Sequence, residues 1–294
     1  MRTVIIGAGG VGGYFGALLA SAGHEVAFLA RGAHLDALRT RGLRVSSPDG
    51  DMAVTGVRAS DSTAELGTAD VVLLCVKTWQ LDAVLPHLKP LIGPDTAVVT
   101  TQNGVEAPDA VAAAVGREHV LPGVARVIAR IDGPGVIAHV GGGVLTFAEW
   151  DGGSSPRAEA LREAVGARAS VSPGIWSELW AKFAFIAPTG GLGAVTGAAF
   201  GELRDDPDTR RVLADGYAEV GAVAAAHGVD LGDVAASTLA FLDAQPEQGT
   251  TSLQRDIIAG LPSELDAWTG AVVRLGEAKD VPTPVNRVLW SVLK

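Results

Sequence analysis

One cysteine, two methionines and two tyrosines occur in 294 residues, and aromatic residues make up only 5% of the chain. A single thiol excludes an intrachain disulfide. Cys75 lies inside the apolar run VVLLC, and a reducing, cytoplasmic setting is the simplest expectation. Uninterrupted apolar stretches of the roughly 18 residues needed to cross a bilayer are missing, so no membrane span is predicted. Arg2 and the apolar residues after it have the outline of a leader peptide, but glycines break that run. The histidines, His24, His34, His87, His119, His139 and His227, show no metal-ligand spacing, and no metal is predicted. Basic residues are outnumbered 23 to 33, giving a net charge of -10 and no basic stripe. A nucleic-acid partner is therefore not expected, and an anionic ligand would need a local positive site.

What is present is a large apolar fraction, 48%, against 19% charged residues. That is enough for a sizeable core and argues against disorder. The first half alternates β-rich runs with helical patterns. RTVII, EVAFLA, DVVLLCVK and AVVTTQN read as strands, and a helix containing YFGALLASAG ends at Gly23. LRVSS and MAVTGVRAS, joined by the turn SPDGD, read as a hairpin. Strands alternating with helices predict βαβ units and a Rossmann-type doubly wound sheet. From Val120 to Trp150 the pattern predicts antiparallel strands extending that sheet. After GGSSP the chain is alanine-rich and reads as all-helical. The expected division is a dinucleotide-binding domain over residues 1–170 and a helical substrate and catalytic domain over 171–294.

GAGGVGGYFG contains Gly7-x-Gly9-x-x-Gly12, with Gly10 inside the loop, directly after a strand and opening a helix. In that context the pattern predicts a dinucleotide site: the glycines permit a tight turn, close approach of a pyrophosphate, and close helix–strand packing. An NAD site usually carries an acid at the end of the second strand, bonding the ribose hydroxyl. Here that position is Ala30-Arg31, and Glu25 is at the opposite end of the strand. Arginine suits a 2′-phosphate, so NADPH is expected; the alternative is a solvated loop charge. Lys77, in CVKTWQ, and Gln102-Asn103-Gly104 occupy two further strand ends, where ligands of such sheets collect. A solvated lysine and a plain Asn-Gly turn are the other readings.

In ELWAKFAFI, Lys182 is the only cation of an apolar run. Taken as a helix over 176–187, this stretch is apolar nearly all round, with Leu179, Lys182 and Ile186 on one face. Lys182 either pairs with Glu178 one turn earlier or serves chemistry. In PSELDAWTGAVVRLG, read as a helix, Glu264 faces with Trp268, Ala271 and Leu275. It either complements the helix dipole or forms, with Lys182, an acid–base pair that orients a reacting group.

The chain resembles the ketopantoate reductase family nearly end to end. The resemblance rests on GAGGVGGYFG, LARG, CVKTWQ, TTQNGVE, ELWAKFAF, FGEL, SLQRD and ELDAWTG, in that order and spacing. It implies NADPH-dependent reduction of a 2-oxo acid, with Lys182 as general acid and Glu264 holding substrate and geometry. It further implies that Ser252 and Asn103 contact substrate, that Lys77 lines the site, that Arg31 binds the 2′-phosphate, and that Lys182 faces a cleft between the domains. Gly7, Gly9, Gly10, Gly12, Arg31, Lys77 and Asn103 form the expected cofactor set.

The chain departs from the family pattern where asparagines bind the substrate's polar groups. The matching positions are Ile186, Gly190, Phe200 and Gly249. Ile186 and Phe200 would offer apolar surface, and Gly190 and Gly249 would offer space. Three functions follow as expectations: a ketopantoate-type reductase, a relative reducing a bulkier or less polar carbonyl compound, and a non-catalytic NADPH-binding regulator. A small-molecule partner and a monomer or homodimer are expected.

Overall fold

In the strand RTVII, Val4, Ile5 and Ile6 are all fully buried, so both faces of this strand are covered. That is the condition of a central strand in a parallel sheet. The computed structural model describes residues 1–294 and resolves two units. The first comprises Met1–Gln102 and Ala107–Ile175; the second comprises Asn103–Glu106 and Trp176–Lys294.

In the first unit, β1 (Arg2–Ile6), β2 (Glu25–Leu29), β5 (Arg58–Ser60), β6 (Val71–Leu74), β7 (Ala97–Thr100) and β8 (Val120–Leu121) form a six-stranded sheet in the order β5-β2-β1-β6-β7-β8. Every pairing is parallel. The strand order reverses between β1 and β6, the switch point at which such sheets hold ligands. Helices α1 (Gly10–Ser21), α2 (Gly32–Arg41), α3 (Thr63–Leu66), α4 (Leu81–Val84), α5 (Ala107–Val115) and α6 (Pro156–Val165) complete a Rossmann-like fold. The first helix begins at Gly10, so the glycine loop runs straight into it, and Gly23 follows it at φ +85°.

The expectation that residues 120–150 extend this sheet is not met. Only β8 joins it. A second sheet holds β11 (Ala169–Val171), β10 (Val136–Phe147), β3 (Leu43–Ser46) and β4 (Met52–Val54), with β9 (Gly123–Gly133) antiparallel to β10. Glycines on α1 seat this hairpin: a Cβ at Gly13 would stand 2.6 Å from Ile137. The predicted hairpin strand MAVTGVRAS also divides. Its first part pairs antiparallel with β3, and its last part, β5, crosses to the parallel sheet beside β2.

The second unit is helical: α7 (Ile175–Thr196, whose first residue falls in the other unit), α8 (Phe200–Asp205), α9 (Pro207–Ala226), α10 (Val234–Asp243), α11 (Ser252–Ile258), α12 (Ala271–Glu277) and α13 (Pro284–Leu293). The expected end of α7 at Ala187 is overtaken: the helix runs through Pro188 to Thr196. Three helical glycines explain what holds the extension. A Cβ at Gly190 would lie 2.9 Å from Trp268, at Gly191 2.9 Å from Thr269, and at Gly193 2.6 Å from Gln254. Glycine inside a helix costs about 1 kcal/mol relative to alanine. Here its small size admits neighbours that bury the helix on several sides. No helix of either unit is long and apolar enough to cross a membrane.

Candidate active site

In the first unit the carboxyl ends of β1, β2, β6 and β7 carry Gly7–Gly10, Ala30–Arg31, Cys75–Lys77 and Thr101–Gln102. Each fingerprint glycine has a separate local cause. Gly7 has φ +97°, where a side chain is strained, and its Cβ would lie 3.0 Å from the Val76 nitrogen. A Cβ at Gly12 would stand 2.1 Å from the Gly7 carbonyl oxygen. At Gly10 it would stand 2.2 Å from the Ala129 carbonyl oxygen on β9. Gly9 has nothing within 4 Å of that position. It begins α1 without a side-chain cap, and the first turn of α1 holds no acid. The loop is thus closely packed behind and open at Gly9, with the amide N–H groups of a helix start ungated by any carboxylate. These features fit a dinucleotide pyrophosphate.

Arg31 is exposed and starts α2 without capping it. Glu25 is engaged elsewhere, by the Arg2 guanidinium at 2.8 Å. The end of β2 itself, Ala30-Arg31, therefore carries no carboxylate. Lys77 is exposed at the end of the β6 segment. Burial pushes the Cys75 thiol up to about 12, against a smaller opposing effect of a hydrogen bond with Thr101.

Two supports here are not visible in the motifs. The side-chain amide of Gln102 donates to the carbonyls of Leu74 at 2.7 Å and Val76 at 3.0 Å, and so fixes the end of β6. His34 accepts from the Gly135 amide at 3.1 Å. Burial lowers its pKa, partly opposed by the Ala8 carbonyl of the glycine loop. His34 therefore ties α2 to the β9–β10 turn as a neutral ring. The backing of Gly10 by β9 likewise needs a pairing between distant segments, which no local pattern encodes.

In the second unit, Lys182 is half-buried on α7. Leu179 and Ile186, on the same face, are buried, as are Phe183 and Ala184 beside it. Glu264 is 3% exposed, although it carries a carboxylate. Asn103 donates to it at 3.2 Å. The segment that carries Asn103 is anchored twice more. A Cβ at Gly104, which has φ +95°, would stand 2.9 Å from the Ala267 carbonyl, and Glu106 bonds Arg274 at 2.8 Å. Arg274 also meets Asp266 at 3.0 Å. Asn103, Lys182 and Glu264 thus belong to one unit, despite their distance in sequence.

Glu264 does not sit within a regular helix, as the sequence pattern suggested. It precedes a π-turn over Asp266–Gly270, in which the Gly270 amide reaches back to the Leu265 carbonyl at 3.2 Å. Trp268 still follows one turn after Glu264, its amide donating to the Glu264 carbonyl at 3.0 Å. The extra residue shifts Ala271 and Leu275 out of the predicted alignment. Such insertions recur at functional sites. Ser252 opens α11, half-buried, directly after its capping residue Thr251.

The expectation of free space at Gly190 and Gly249 is overturned. At Gly190 the Trp268 ring and the Thr251 hydroxyl, 2.9 Å and 3.1 Å from a Cβ position, fill the site. At Gly249 the Phe200 ring is only 2.4 Å away. The Phe200 amide also donates to the Gly249 carbonyl at 2.9 Å. The two glycines are small because aromatic rings occupy the volume beside them.

Comparison with known proteins agrees along the whole chain. Residues 3–152 match the family model described as "Ketopantoate reductase PanE/ApbA", and residues 174–294 match "Ketopantoate reductase PanE/ApbA C terminal". A protein of Mesorhizobium japonicum named 2-dehydropantoate 2-reductase is 33% identical, over 100% of this chain and 97% of its own length. The solved PanE/ApbA family ketopantoate reductase of Ralstonia eutropha is 33% identical, with a TM-score of 0.90 over 100% of this chain and 97% of that one. The 2-dehydropantoate 2-reductase of Geobacter metallireducens is 28% identical, with a TM-score of 0.92 over 100% and 99%.

Proposed function

This chain belongs to the ketopantoate reductase PanE/ApbA family of oxidoreductases, and from that premise we propose that it is an NADPH-dependent reductase that converts a 2-oxo acid to the 2-hydroxy acid. The observation that carries the reading is the buried Glu264 carboxylate held by Asn103, in the unit whose apolar helix also carries Lys182. A buried charge is costly unless it is paired or used. Sensing a dinucleotide needs neither Glu264 nor Lys182, which disfavours a non-catalytic regulator.

The roles are those that membership of the family implies for these positions. Gly7, Gly9, Gly10 and Gly12 would hold the pyrophosphate, Arg31 would meet the 2′-phosphate, and Lys77 and Asn103 would complete the cofactor contacts. When bound, NADPH would supply the hydride that the carbonyl carbon accepts. Lys182 places its positive charge on the carbonyl oxygen as the C=O bond becomes a C–O single bond, then donates a proton to that oxygen. Preorganised charge at a developing alkoxide is often the largest catalytic contribution. Glu264, oriented by Asn103, holds the substrate, and Ser252 and Asn103 offer it hydrogen bonds. The net change is one hydride and one proton added across the carbonyl.

The test is NADPH oxidation by the purified protein with a panel of 2-oxo acids, compared with simple ketones and aldehydes. Turnover confined to 2-oxo acids supports the reading. Cofactor binding without turnover of any carbonyl compound would favour the regulator.

A further inference from the structure

The start of α2 exposes Arg31, Gly32 and Ala33, and the Arg31 cap makes no side-chain hydrogen bond. His34, the next residue, is half-buried, and its Nε2 is fully buried without a hydrogen-bond partner. Its Nδ1 accepts from the Gly135 amide at 3.1 Å. Because Nδ1 accepts, the proton of the neutral ring is on Nε2. A buried N–H of this kind calls for an acceptor. The backbone group that acts on the ring is the carbonyl of Ala8, which stands between Gly7 and Gly9 in the glycine loop.

The Gly135 side of this link is firmly held. Gly135 has φ +78°, and its carbonyl accepts from the Arg44 amide at 2.9 Å. Arg41 donates to the Pro134 carbonyl at 3.4 Å. A Cβ at Gly135 would stand 3.0 Å from the Ala37 Cβ, so the β9–β10 turn lies directly on α2. The same hairpin backs the glycine loop, where Gly10 meets the Ala129 carbonyl of β9. The hairpin thus touches α2 at its turn and the loop along its strand. His34 adds a direct link between α2 and the loop.

We propose that His34 is a positioning residue for the cofactor: joined to Gly135 through Nδ1 and set against the Ala8 carbonyl through Nε2–H, it fixes the start of α2 relative to the glycine loop, and so holds Arg31 where it tells a 2′-phosphate from a hydroxyl. The inference rests on the NADPH reading above and assigns part of that selectivity to a residue acting through Arg31. The glycine loop serves NADPH and NADH alike, because both carry the pyrophosphate. Arg31 serves only the phosphorylated one. A residue that acts through Arg31 changes the ratio of the two affinities. A residue that merely supports the loop changes both together.

Dissociation constants for NADPH and NADH, measured by fluorescence titration, separate the two cases, and melting curves establish that each variant is folded. His34→Ala should reduce the preference for NADPH at least about fivefold, mostly by weakening NADPH, a size usual for coupled neighbours. In an Arg31→Ala background the same change should alter the ratio by less than about twofold, because the group it positions is gone. His34→Gln places an amide N–H near the Nε2 position, whereas His34→Asn places an oxygen near Nδ1 and can keep only the Gly135 bond. The glutamine variant should therefore retain more of the preference than the asparagine variant, and this comparison stands even where His34→Ala does not fold.

Equal weakening of both cofactors by His34→Ala would make His34 a support of the loop and overturn the inference. So would an effect on the ratio that persists at full size without Arg31. Better retention by asparagine than by glutamine would remove the Ala8 contact, and the inference with it. If the unmodified protein shows no preference for NADPH, the NADPH reading itself fails; a preference of at least about tenfold that His34→Ala leaves unchanged overturns this inference alone.

Discussion

Asn103 Nδ2 donates to Glu264 Oε2 across 3.2 Å, joining residues 161 positions apart. The bond brings a residue from just beyond the end of β7 onto the helical unit. Gly104 and Glu106 anchor the same short segment, through Ala267 and Arg274. The Asn103 amide therefore has little freedom to turn away from the carboxylate it serves.

Asn103→Ala should lower the unfolding free energy by about 1–2 kcal/mol, somewhat below the usual range for a hydrogen bond to a charged group because the segment keeps its other anchors. Asn103→Asp should be worse. It exchanges a donor for a second carboxylate beside one that is already buried, and like charges disfavour ionisation. Urea midpoints of the three proteins decide the matter. If the aspartate variant is as stable as the alanine variant, Glu264 does not depend on this donor.

Lys182→Ala should lower kcat at least about a hundredfold, the scale of a lost general acid, while NADPH affinity changes little. Glu264→Ala should also lower kcat/KM. The double variant should lose less than the two effects combined, because groups acting as a unit are not additive. Normal turnover by Lys182→Ala would make Lys182 a structural residue, and pairing with Glu178 would then be its reason for being there.

Much of the fold could be read from local patterns. The glycine loop between a strand and a helix, the buried run VVLLC and the alanine-rich second half each express a short-range rule. Local patterns fall short where packing between distant segments decides. Residues 123–147 form β-strands as their pattern indicates, but which sheet they join depends on α1 and β3, far away in sequence. Pro188 would ordinarily end a helix; Trp268, Thr269 and Gln254 hold the continuation. The departures at Gly190 and Gly249 could be seen as lost amides. That their volume had passed to Trp268 and Phe200 needed coordinates, since only the partner's position distinguishes an empty glycine from a crowded one.

The fingerprint glycines should separate by experiment. Gly12→Ala places a Cβ 2.1 Å from a backbone oxygen, which cannot swing aside. Overpacking of this kind costs about 1–3 kcal/mol, so the variant should melt earlier. Gly9→Ala meets nothing within 4 Å and should melt normally. It should nevertheless bind NADPH more weakly, because a methyl group would keep the pyrophosphate from the backbone. Calorimetric melts and cofactor titrations on both variants give the comparison. Unchanged NADPH affinity in Gly9→Ala would mean the phosphate approaches elsewhere.

Cofactor choice is expected to turn on Arg31. It is exposed at the end of β2, and Glu25, the acid of that strand, is at the other end and bonded to Arg2. An NADH ribose would find no carboxylate at the end of that strand, whereas a 2′-phosphate would find a guanidinium able to bind it through paired N–H groups. NADPH should therefore bind at least about tenfold more tightly than NADH, about 1.4 kcal/mol. Arg31→Ala should lose most of that ratio by weakening NADPH while leaving NADH nearly unchanged. Because the contact is a solvent-exposed ion pair, the preference should also shrink as ionic strength rises. Fluorescence titration of both cofactors at low and high salt measures all three effects. A ratio near one in the unmodified protein, or a ratio insensitive to Arg31→Ala, would remove Arg31 from the cofactor site.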